Sequence, residues 1–469
     1  MPAPASVVPR AVRQALAEND TSGIMSLFGT DGVRGAFGRP PIDRSTVTAL
    51  AHRLALDLQK QAEKPLVVIG GDTRESTPTL LCWLRDALEA GGCTVRWAGV
   101  LPTPGIAIVT RRLQADCGIC ISASHNPFAD NGLKLFGSDG FKWSTEAETS
   151  LGKNLQPVVL AESATVPEIE DDLAQIYLRE LWTGIESEAG SRPLQGLTVA
   201  LDCANGAASP FARHVFEHLG AEVHSFHDQP NGRNINQRCG STHDSEIVRL
   251  VVETSSDLGF AFDGDADRLI AADENGRLLD GDELLYIWAG HLQETGALRP
   301  SKIVATQMSN LGLEESLEAR GIELVRCDVG DRTVVREMRR QSIILGGEQS
   351  GHLVNLALST TGDGLLSAIH FANLARHSSL VVRTEGFVRY PQVQRNIQVR
   401  EKPDFQTLDG VQEIAREIEL GLGESGRLLL RYSGTEPVAR VMIEGRDRGL
   451  ITGQAERLAE RIRAEIGTI

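Results

Sequence analysis

A serine with a histidine beside it stands in a polar loop that follows an apolar run. Ser124 and His125 belong to the segment 122–127, and Lys134 follows within the segment 130–134. A hydroxyl nucleophile needs a base that takes its proton or a cation that offsets its charge, and both residue types are present. A turn capped by its own side chains would explain these residues equally well. We call residues 122–130 the serine loop, a candidate nucleophile loop.

Three aspartates alternate with other residues directly after a second apolar run. The run is Leu258 to Phe262, and the carboxylates are those of Asp263, Asp265 and Asp267. Side chains two residues apart point to the same side of an extended chain, so these carboxylates repel one another unless a cation joins them. Oxygen ligands favour Mg²⁺ over Zn²⁺. This segment, the metal loop, therefore predicts a site for one Mg²⁺ per chain.

Two other interpretations of the metal loop were weighed. A solvated acidic turn would need no metal and stays open. The spacing up to Glu274 also resembles a calcium-binding helix–loop–helix, but Arg268 stands at the sixth position, where that loop requires glycine. The flanking residues predict strands, with Asn275-Gly276 as a hairpin turn. A calcium-binding structural protein is therefore the least favoured class.

Two further polar segments could bind a phosphorylated sugar. Glycines flank Glu348 and Ser350 in the segment 346–352, the sugar loop, which can present both side chains to hydroxyl groups. A set of hydroxyls, glycine backbone and guanidinium groups near the C-terminus suits a phosphate group. This set, the phosphate clamp, consists of Arg431, Ser433, Gly434, Thr435 and Arg440. Taken alone, either segment is also compatible with an ordinary surface turn.

Composition argues against several classes of protein. The 469 residues exceed one compact domain, and their formal net charge of −16 argues against a nucleic-acid partner, which requires a basic face. No apolar run is long enough to span a membrane, so no membrane association is expected. Seven cysteines without framework spacing predict reduced thiols in a cytoplasmic protein. Cys117 and Cys120 should point to opposite faces of one strand and are expected to be structural.

A threefold repeat of strand, helix and strand carries the candidate loops. The repeats begin at Leu66, Thr198 and Ile303, and each has a glycine between its helix and its second strand. Three copies predict three related α/β domains with mixed sheets. From about residue 386 the pattern changes, which predicts a smaller C-terminal α+β domain.

The predicted division of the chain gives each candidate segment a domain of its own. Met25 resembles a natural start, so the residues before it are expected to be dispensable. The parts are an N-terminal extension at 1–24, α/β domains at 25–180, 181–286 and 287–385, and the C-terminal domain at 386–469. A site shared by four domains would enclose its substrate and keep water from a labile group.

The four segments, in this order, resemble the α-D-phosphohexomutase superfamily, and the resemblance covers the chain from Met25. Several strings resemble the branch of the superfamily that acts on phosphorylated glucosamine. They are residues 28–35, 232–236 with 239–243, 329–332, the sugar loop with Gln349, and 360–366. The resemblance implies a heart-shaped arrangement of three α/β domains and one C-terminal α+β domain around a central cleft.

The resemblance also assigns roles at the reacting centre. It implies a phosphoserine at Ser124, with Mg²⁺ held by the three aspartates of the metal loop and a phosphoserine oxygen. Arg268 would help to neutralise the phosphoryl group. His125 and Lys134 become candidates for moving a proton at a sugar hydroxyl, and Arg34 would face the same centre.

Substrate contacts are implied in the same way. Glu348 and Ser350 would hold sugar hydroxyls, and the phosphate clamp would bind the phosphate that is not reacting. Tyr432 departs from the pattern, since many members carry a small or basic residue there. Its side chain is expected to point away from the phosphate.

The implied activity is that of an isomerase acting on a phosphorylated hexosamine. Glucosamine 6-phosphate and glucosamine 1-phosphate would interconvert through a 1,6-bisphosphate, for the synthesis of UDP-N-acetylglucosamine. Glucosamine 1,6-bisphosphate or glucose 1,6-bisphosphate would serve as activator, and the chain would be a monomer or homodimer. The alternatives are a phosphomannomutase or phosphoglucomutase with the same chemistry, and a silent phosphosugar-binding protein.

Overall fold

The computed structural model describes residues 27–29, 31–161, 165–189, 192–433 and 437–468. The extension predicted at 1–24 lies outside this part of the chain, as do Gly434 and Thr435 of the phosphate clamp. Within the described residues, no helix is both long and apolar enough to cross a membrane.

The first domain is built on a five-stranded mixed sheet. Its strands are β1 (Val33–Ala36), β2 (Leu66–Gly71), β3 (Thr94–Val100), β4 (Cys117–Ile121) and β5 (Asp130–Gly137). Its helices are α1 (Arg44–Leu58), α2 (Thr77–Ala90), α3 (Thr103–Arg112), α4 (Thr145–Gly152) and α5 (Asp171–Ala189). The order is β1-β5-β4-β2-β3, with β2 parallel to β3 and β4 and the remaining pairs antiparallel.

Strand β4 shows why its sequence is apolar throughout. All five of its residues are buried, because helices cover both faces of the sheet. Cys117 and Cys120 lie in two different apolar clusters on opposite faces, and both are free thiols. This confirms that the pair is structural.

The second domain repeats the sheet of the first. Its elements are β6 (Thr198–Asp202), α6 (Ala212–His218), β7 (Glu222–Phe226), α7 (Asp244–Thr254), β8 (Leu258–Phe262), β9 (Leu269–Asp273) and β10 (Leu278–Leu279). The order is β10-β9-β8-β6-β7, with β6 parallel to β7 and β8. The metal loop joins two strands, β8 and β9, which rules out the calcium-binding helix–loop–helix.

The third domain carries a four-stranded version of the same sheet. Its elements are α8 (Gly281–Glu294), β11 (Lys302–Thr306), α9 (Leu311–Glu318), β12 (Glu323–Cys327), α10 (Asp331–Gln341), β13 (Leu345–Gly347), β14 (Leu353–Asn355), α11 (Gly364–Ala375) and α12 (Leu380–Arg383). The order is β12-β11-β13-β14, with β11 parallel to β12 and β13.

The C-terminal domain is a small antiparallel sheet covered by helices. Its elements are β15 (Gln392–Gln398), α13 (Asp409–Leu422), β16 (Gly426–Tyr432), β17 (Val438–Gly445) and α14 (Arg448–Ile466), with 3₁₀ turns at Phe405–Thr407 and Gly423–Ser425. The strand order is β15-β17-β16. Three related α/β domains with mixed sheets and a smaller α+β domain are therefore confirmed. The domain borders predicted after residues 180 and 286 fall inside α5 and α8.

One strand position in each α/β domain carries a candidate loop. β4, β8 and β13 occupy the same place, parallel to the first strand of their repeat. The serine loop follows β4, the metal loop follows β8 and the sugar loop begins at the end of β13. Ligands bind beyond the carboxyl ends of strands in such sheets, so the repeated fold itself places the three loops for a shared site.

Candidate active site

Ser124 lies buried where the first two domains meet. Its side chain follows β4, and its hydroxyl donates a hydrogen bond to Asp263 Oδ2 at 2.6 Å. His125 Nδ1 lies 3.3 Å from the same hydroxyl oxygen. Only 1% of Ser124 is exposed. The structure thus joins the predicted nucleophile directly to the metal loop, across 139 residues of sequence.

The three aspartates of the metal loop form one cluster. One carboxylate oxygen from each of Asp263, Asp265 and Asp267 lies within 4.8 Å of the other two, and all three residues are buried. Burial, and then the charges of Asp267 and Asp265, raise the pKa of Asp263. A cation at this cluster would favour the ionised form of each carboxyl group.

Lys134 fixes which oxygens of the cluster remain for a metal ion. Its ammonium contacts Asp265 Oδ2 at 2.6 Å and Asp267 Oδ2 at 3.0 Å. The Oδ1 atoms of both aspartates are buried without a hydrogen-bond partner among the described residues. Two orphaned carboxylate oxygens beside Asp263 and the Ser124 hydroxyl form an oxygen donor set that fits Mg²⁺.

The two candidates for proton transfer differ in charge. Burial opposes the charge of Lys134, but Asp265, Asp267 and Asp31 outweigh it and hold its pKa well above the usual value. Lys134 therefore stays an ammonium ion. Burial, with Arg268 and Arg34, lowers the pKa of His125 to about 4. A neutral imidazole near the Ser124 hydroxyl can accept a proton at pH 7.

Two arginines face this centre. The backbone N–H of Arg268 donates to Asp263 Oδ1 at 3.2 Å, and its Nε lies 3.9 Å from Asp267. Arg34 on β1 forms an ion pair with Asp31. The Nε atoms of both arginines are buried without a hydrogen-bond partner in the described part of the chain. Such donors suit the oxygens of a phosphoryl group.

The sugar loop packs against the end of the metal loop. Gly351 O accepts a hydrogen bond from Leu269 N at 2.9 Å, directly after Arg268. Glu348 is buried, and its Oε1 accepts from Gly330 N at 3.1 Å. Ser350 is exposed on the same loop. Burial lowers the pKa of Arg268, but the charges of Asp263, Asp267 and Glu348 raise it above its usual value, so Glu348 belongs to the charges around the same centre.

The described part of the phosphate clamp lies in the C-terminal sheet. Arg431 on β16 stands opposite Arg440 on β17, so two guanidinium groups face each other across the strands. Burial, and then Arg440, lowers the pKa of Arg431, as expected where a bound anion would relieve the repulsion. Ser433 is buried beside them.

Tyr432 points away from the clamp, as predicted. Its ring stacks on Phe405, with centroids 4.1 Å apart and planes 9° from parallel. Because successive side chains of a strand alternate, the ring lies on the face opposite to that of Arg431. The bulky residue therefore leaves the anion-facing side open.

Sequence reasoning missed a group of ion pairs that join the first and third domains. Lys142 forms ion pairs with Asp31 of the first domain and Asp331 of the third. Arg332 binds both carboxylate oxygens of Glu148, at 2.7 and 3.1 Å. Asp31, Asp331 and Arg332 lie in strings that carried the resemblance, but nothing in those strings identified their partners.

His352 is a further missed residue. It ends the sugar loop, is buried, and places Nδ1 3.7 Å from Asp267 Oδ1 and Nε2 3.9 Å from Asp331 Oδ2. It therefore links the sugar loop to the metal loop. The sugar loop as defined from the sequence already included His352, directly after Gly351, but nothing in the sequence showed that its side chain lies beside Asp267.

Comparisons with known proteins agree with this geometry. Models of the phosphoglucomutase/phosphomannomutase family match alpha/beta/alpha domain I at 25–157, domain II at 175–276, domain III at 280–385 and the C-terminal domain at 395–461. The phosphoglucosamine mutase of Solibacter usitatus is 42% identical over 448 residues, which cover 94% of this chain and 99% of that protein. The chain belongs to the phosphoglucosamine mutase family. It is therefore an isomerase of the phosphohexomutase type, as the resemblance implied.

Solved structures share the fold. A phosphoglucomutase/phosphomannomutase family protein from Burkholderia thailandensis has a TM-score of 0.77 at 21% identity, covering 94% of this chain and 99% of that one. The Aspergillus fumigatus N-acetylphosphoglucosamine mutase, in complex with GlcNAc-6P and magnesium, has a TM-score of 0.62 at 17% identity, covering 98% and 100%. The curated relative favours the glucosamine phosphate branch over the phosphomannomutase and phosphoglucomutase alternative.

Proposed function

We propose that this chain interconverts glucosamine 6-phosphate and glucosamine 1-phosphate through a phosphoserine at Ser124. The observation that carries the proposal is the buried Ser124 hydroxyl, which lies 2.6 Å from Asp263 at the centre of the aspartate cluster. Three buried carboxylates lie around this hydroxyl, and the Nε atoms of Arg34 and Arg268 have no hydrogen-bond partner among the described residues, so donors for a phosphoryl group and ligands for a cation stand at one place.

The reaction takes two phosphoryl transfers. In the first, the P–Oγ bond of phosphorylated Ser124 breaks as a bond forms from phosphorus to O1 of glucosamine 6-phosphate, which yields glucosamine 1,6-bisphosphate. After the bisphosphate has turned end for end, its 6-phosphoryl group returns to Ser124 and glucosamine 1-phosphate leaves. His125 Nδ1, 3.3 Å from Oγ, takes the proton of the O1 hydroxyl and passes it to Oγ in the first transfer. In the second transfer it takes the proton of the serine and passes it to O6 of the sugar.

The charge of the transferring group is offset by residues of the first two domains. Arg268 and Arg34 present guanidinium groups to its oxygens. When Mg²⁺ is bound, held by Asp263, Asp265, Asp267 and a phosphoserine oxygen, it stabilises the charge on those oxygens. The presence of magnesium in the complex of the Aspergillus mutase supports the choice of this ion.

The other two domains hold the sugar. Glu348 and Ser350 bind hydroxyl groups, and Arg431, Ser433, Gly434, Thr435 and Arg440 bind the phosphate that is not reacting. A clamp of guanidinium and hydroxyl groups accepts a phosphate at either end of the sugar, as the turning bisphosphate requires. Glucosamine 1,6-bisphosphate or glucose 1,6-bisphosphate would load Ser124 at the start.

³¹P NMR of the full chain with Mg²⁺ and a trace of glucose 1,6-bisphosphate tests the proposal. Glucosamine, glucose and mannose 6-phosphates are offered separately, and the fastest conversion is expected for glucosamine 6-phosphate. Faster conversion of glucose or mannose 6-phosphate would keep the chemistry and reassign the substrate. No conversion of any of the three would refute the proposed function.

A further inference from the structure

The string Gly232 to Asn236, which carried part of the family resemblance without a role, reaches from the second domain to the serine loop. Asn236 Nδ2 donates hydrogen bonds to the carbonyl oxygens of Ser124, at 2.9 Å, and Asn126, at 3.1 Å. Since both neighbours are acceptors, the amide nitrogen and not the amide oxygen must face them. The Asn236 side chain is therefore committed to the backbone of the serine loop.

Arg74 holds the same carbonyl groups from within the first domain. Its Nη2 donates to Ser124 O at 2.9 Å and Asn126 O at 2.8 Å, and its Nη1 donates to the carbonyls of Pro127 and Asp130. Arg74 is 1% exposed. A buried guanidinium that donates to four carbonyls of one loop fixes the path of that loop.

The amide side of Ser124 is fixed as well. Its N–H donates to Ser122 Oγ at 2.9 Å, and Ser122 Oγ donates to Asp72 Oδ2 at 2.6 Å. Asp72 also accepts from Arg74 Nε at 2.9 Å. The buried ion pair of Asp72 and Arg74 therefore fixes the N–H of Ser124, through Ser122, and its carbonyl oxygen, through Arg74. Ser124 has a φ of 52°, in the left-handed region, which residues other than glycine adopt only at an energetic cost. The surrounding hydrogen bonds maintain a conformation that the serine would not adopt alone.

We propose that Asn236 and Arg74 are positioning residues that keep Ser124 Oγ aimed at the metal loop through each cycle of phosphorylation and dephosphorylation. The inference rests on the proposed function and adds two residues to it. Their hydrogen bonds go to the backbone of the serine loop, so they act through it. Reacting groups must be held to within roughly 0.5 Å, and a displacement of about 1 Å can cost a hundredfold in rate.

Asn236 also sets the position of one domain against the other. The metal loop and Asn236 both belong to the second domain. The same domain therefore supplies the candidate metal ligands and the amide that donates hydrogen bonds to the serine loop. A Cβ on Gly264 would lie 2.6 Å from Ser124 O and 2.8 Å from Asn236 Nδ2. The metal loop, the asparagine and the serine carbonyl therefore meet at a contact that admits no side chain. Glu75 N continues this contact by donating to Gly232 O at 3.0 Å.

The test compares Asn236→Asp with the matched variant Asn234→Asp. Aspartate tolerates the left-handed backbone of Asn236 (φ 58°) but has no proton to donate to the two carbonyls. Asn234 lies in the same string, and its amide binds Gln229 O at 3.0 Å and Asn231 N at 2.9 Å. With Mg²⁺ and glucosamine 6-phosphate, kcat of Asn236→Asp should fall by about ten- to a hundredfold while KM stays within about twofold. Asn234→Asp should retain the wild-type kcat.

Hydrogen exchange of the peptide that covers residues 122–130 gives a readout that does not require turnover. Exchange should be faster by about tenfold or more in Asn236→Asp and unchanged in Asn234→Asp. Unchanged exchange, unchanged kcat or an equal loss in both variants would overturn the inference. Faster exchange together with a wild-type chain that converts no substrate would refute the proposed function instead.

Arg74→Lys provides the second variant, in case Asn236→Asp fails to fold. Lysine keeps the positive charge beside Asp72 but cannot donate to four carbonyls at once. The same fall in kcat at constant KM is expected, with faster exchange in the serine loop. Wild-type values of both in Arg74→Lys would overturn the role of the arginine.

Discussion

Lys134 balances three carboxylates at once. Its buried ammonium contacts Asp265, Asp267 and Asp31 at 2.6, 3.0 and 3.2 Å. Breaking a buried ion pair by removing one partner leaves the other charge uncompensated, at a cost of about 3–5 kcal/mol. The site is therefore sensitive to loss of this single cation.

Lys134→Met should lower the free energy of unfolding in the absence of Mg²⁺ by about 3–5 kcal/mol, measured by urea denaturation. Added Mg²⁺ should recover part of the loss, because a second cation then offsets the same carboxylates. The exposed Lys153 provides the control, and Lys153→Met should stay within about 0.5 kcal/mol of the wild type. Equal stability of the two variants would contradict the charge balance described above.

The residues that sequence could identify are those whose chemistry is concentrated in one short segment. Ser124 with His125, and the three aspartates of the metal loop, are recognisable as candidates because residue types that suit a nucleophile or a cation site stand together in one short segment, and the family resemblance then favoured those roles over ordinary turns. Asn236 and His352 are not, since an asparagine or histidine acquires its role from a partner in another domain. Asn236 meets a carbonyl 112 residues away, and no local pattern encodes that distance.

The start of helix α11 depends on a buried carboxyl group whose pKa is shifted. Asp363 caps it, and its Oδ1 accepts from Leu366 N and from Tyr177 OH on α5, both at 3.0 Å. Its Oδ2 is buried without a hydrogen-bond partner among the described residues. Burial raises the pKa of Asp363 to about 7.

Asp363→Asn should remove a pH dependence from the stability of the fold. Between about pH 4 and 7 the unfolded carboxyl ionises while the folded one keeps its proton, so this group lowers stability as pH rises, by at most about 4 kcal/mol. Asparagine keeps the Oδ1 acceptor and does not titrate. The stability of Asp363→Asn relative to wild type should therefore rise from pH 4 to 7 and level off above. A difference that is independent of pH in denaturation experiments would contradict the raised pKa.

The bounds of a strand were predictable where its apolar run is continuous. The start of a helix was harder to predict where glycines lie in its first turns. Strand β8 was predicted with its observed bounds because a continuous apolar run precedes the aspartates. The sequence pattern predicts a last helix from Gln454, but the helix begins at Arg448, six residues earlier. Asp447 caps it by accepting from Leu450 N, and Gly449 and Gly453, which disfavour a helix, concealed this start.

At the scale of the whole molecule, the domains are joined by contacts of different kinds. The first and second meet at Ser124 and Asp263, and the first and third meet at the ion pairs of Lys142. The C-terminal sheet contacts the third domain through Glu444, which accepts from Asn310 Nδ2 at 3.2 Å. Repeats in the sequence predicted the number and type of domains, but these contacts depend on pairs that no repeat contains.

Arg431 belongs to the C-terminal domain and Ser124 to the first domain. Arg431→Gln should weaken substrate binding and leave the reacting centre intact. Loss of a charged hydrogen bond to phosphate is worth about 1.5–3 kcal/mol, so KM for glucosamine 6-phosphate should rise by about ten- to a hundredfold. Labelling of Ser124 by saturating glucose 1,6-bisphosphate should persist. Arg457→Gln, on the exposed side of α14, serves as the control and should leave KM unchanged. An unchanged KM in Arg431→Gln would remove this arginine from the clamp.

The most direct test of the central claim is intact-protein mass spectrometry of wild-type and Ser124→Ala chains after exposure to glucose 1,6-bisphosphate and Mg²⁺. The wild type should gain one phosphoryl group, which peptide analysis places on Ser124. Ser124→Ala should gain none, and its turnover of glucosamine 6-phosphate should fall by at least about a thousandfold. A phosphoryl group on another residue, or a Ser124→Ala variant that turns over near the wild-type rate, would contradict the account.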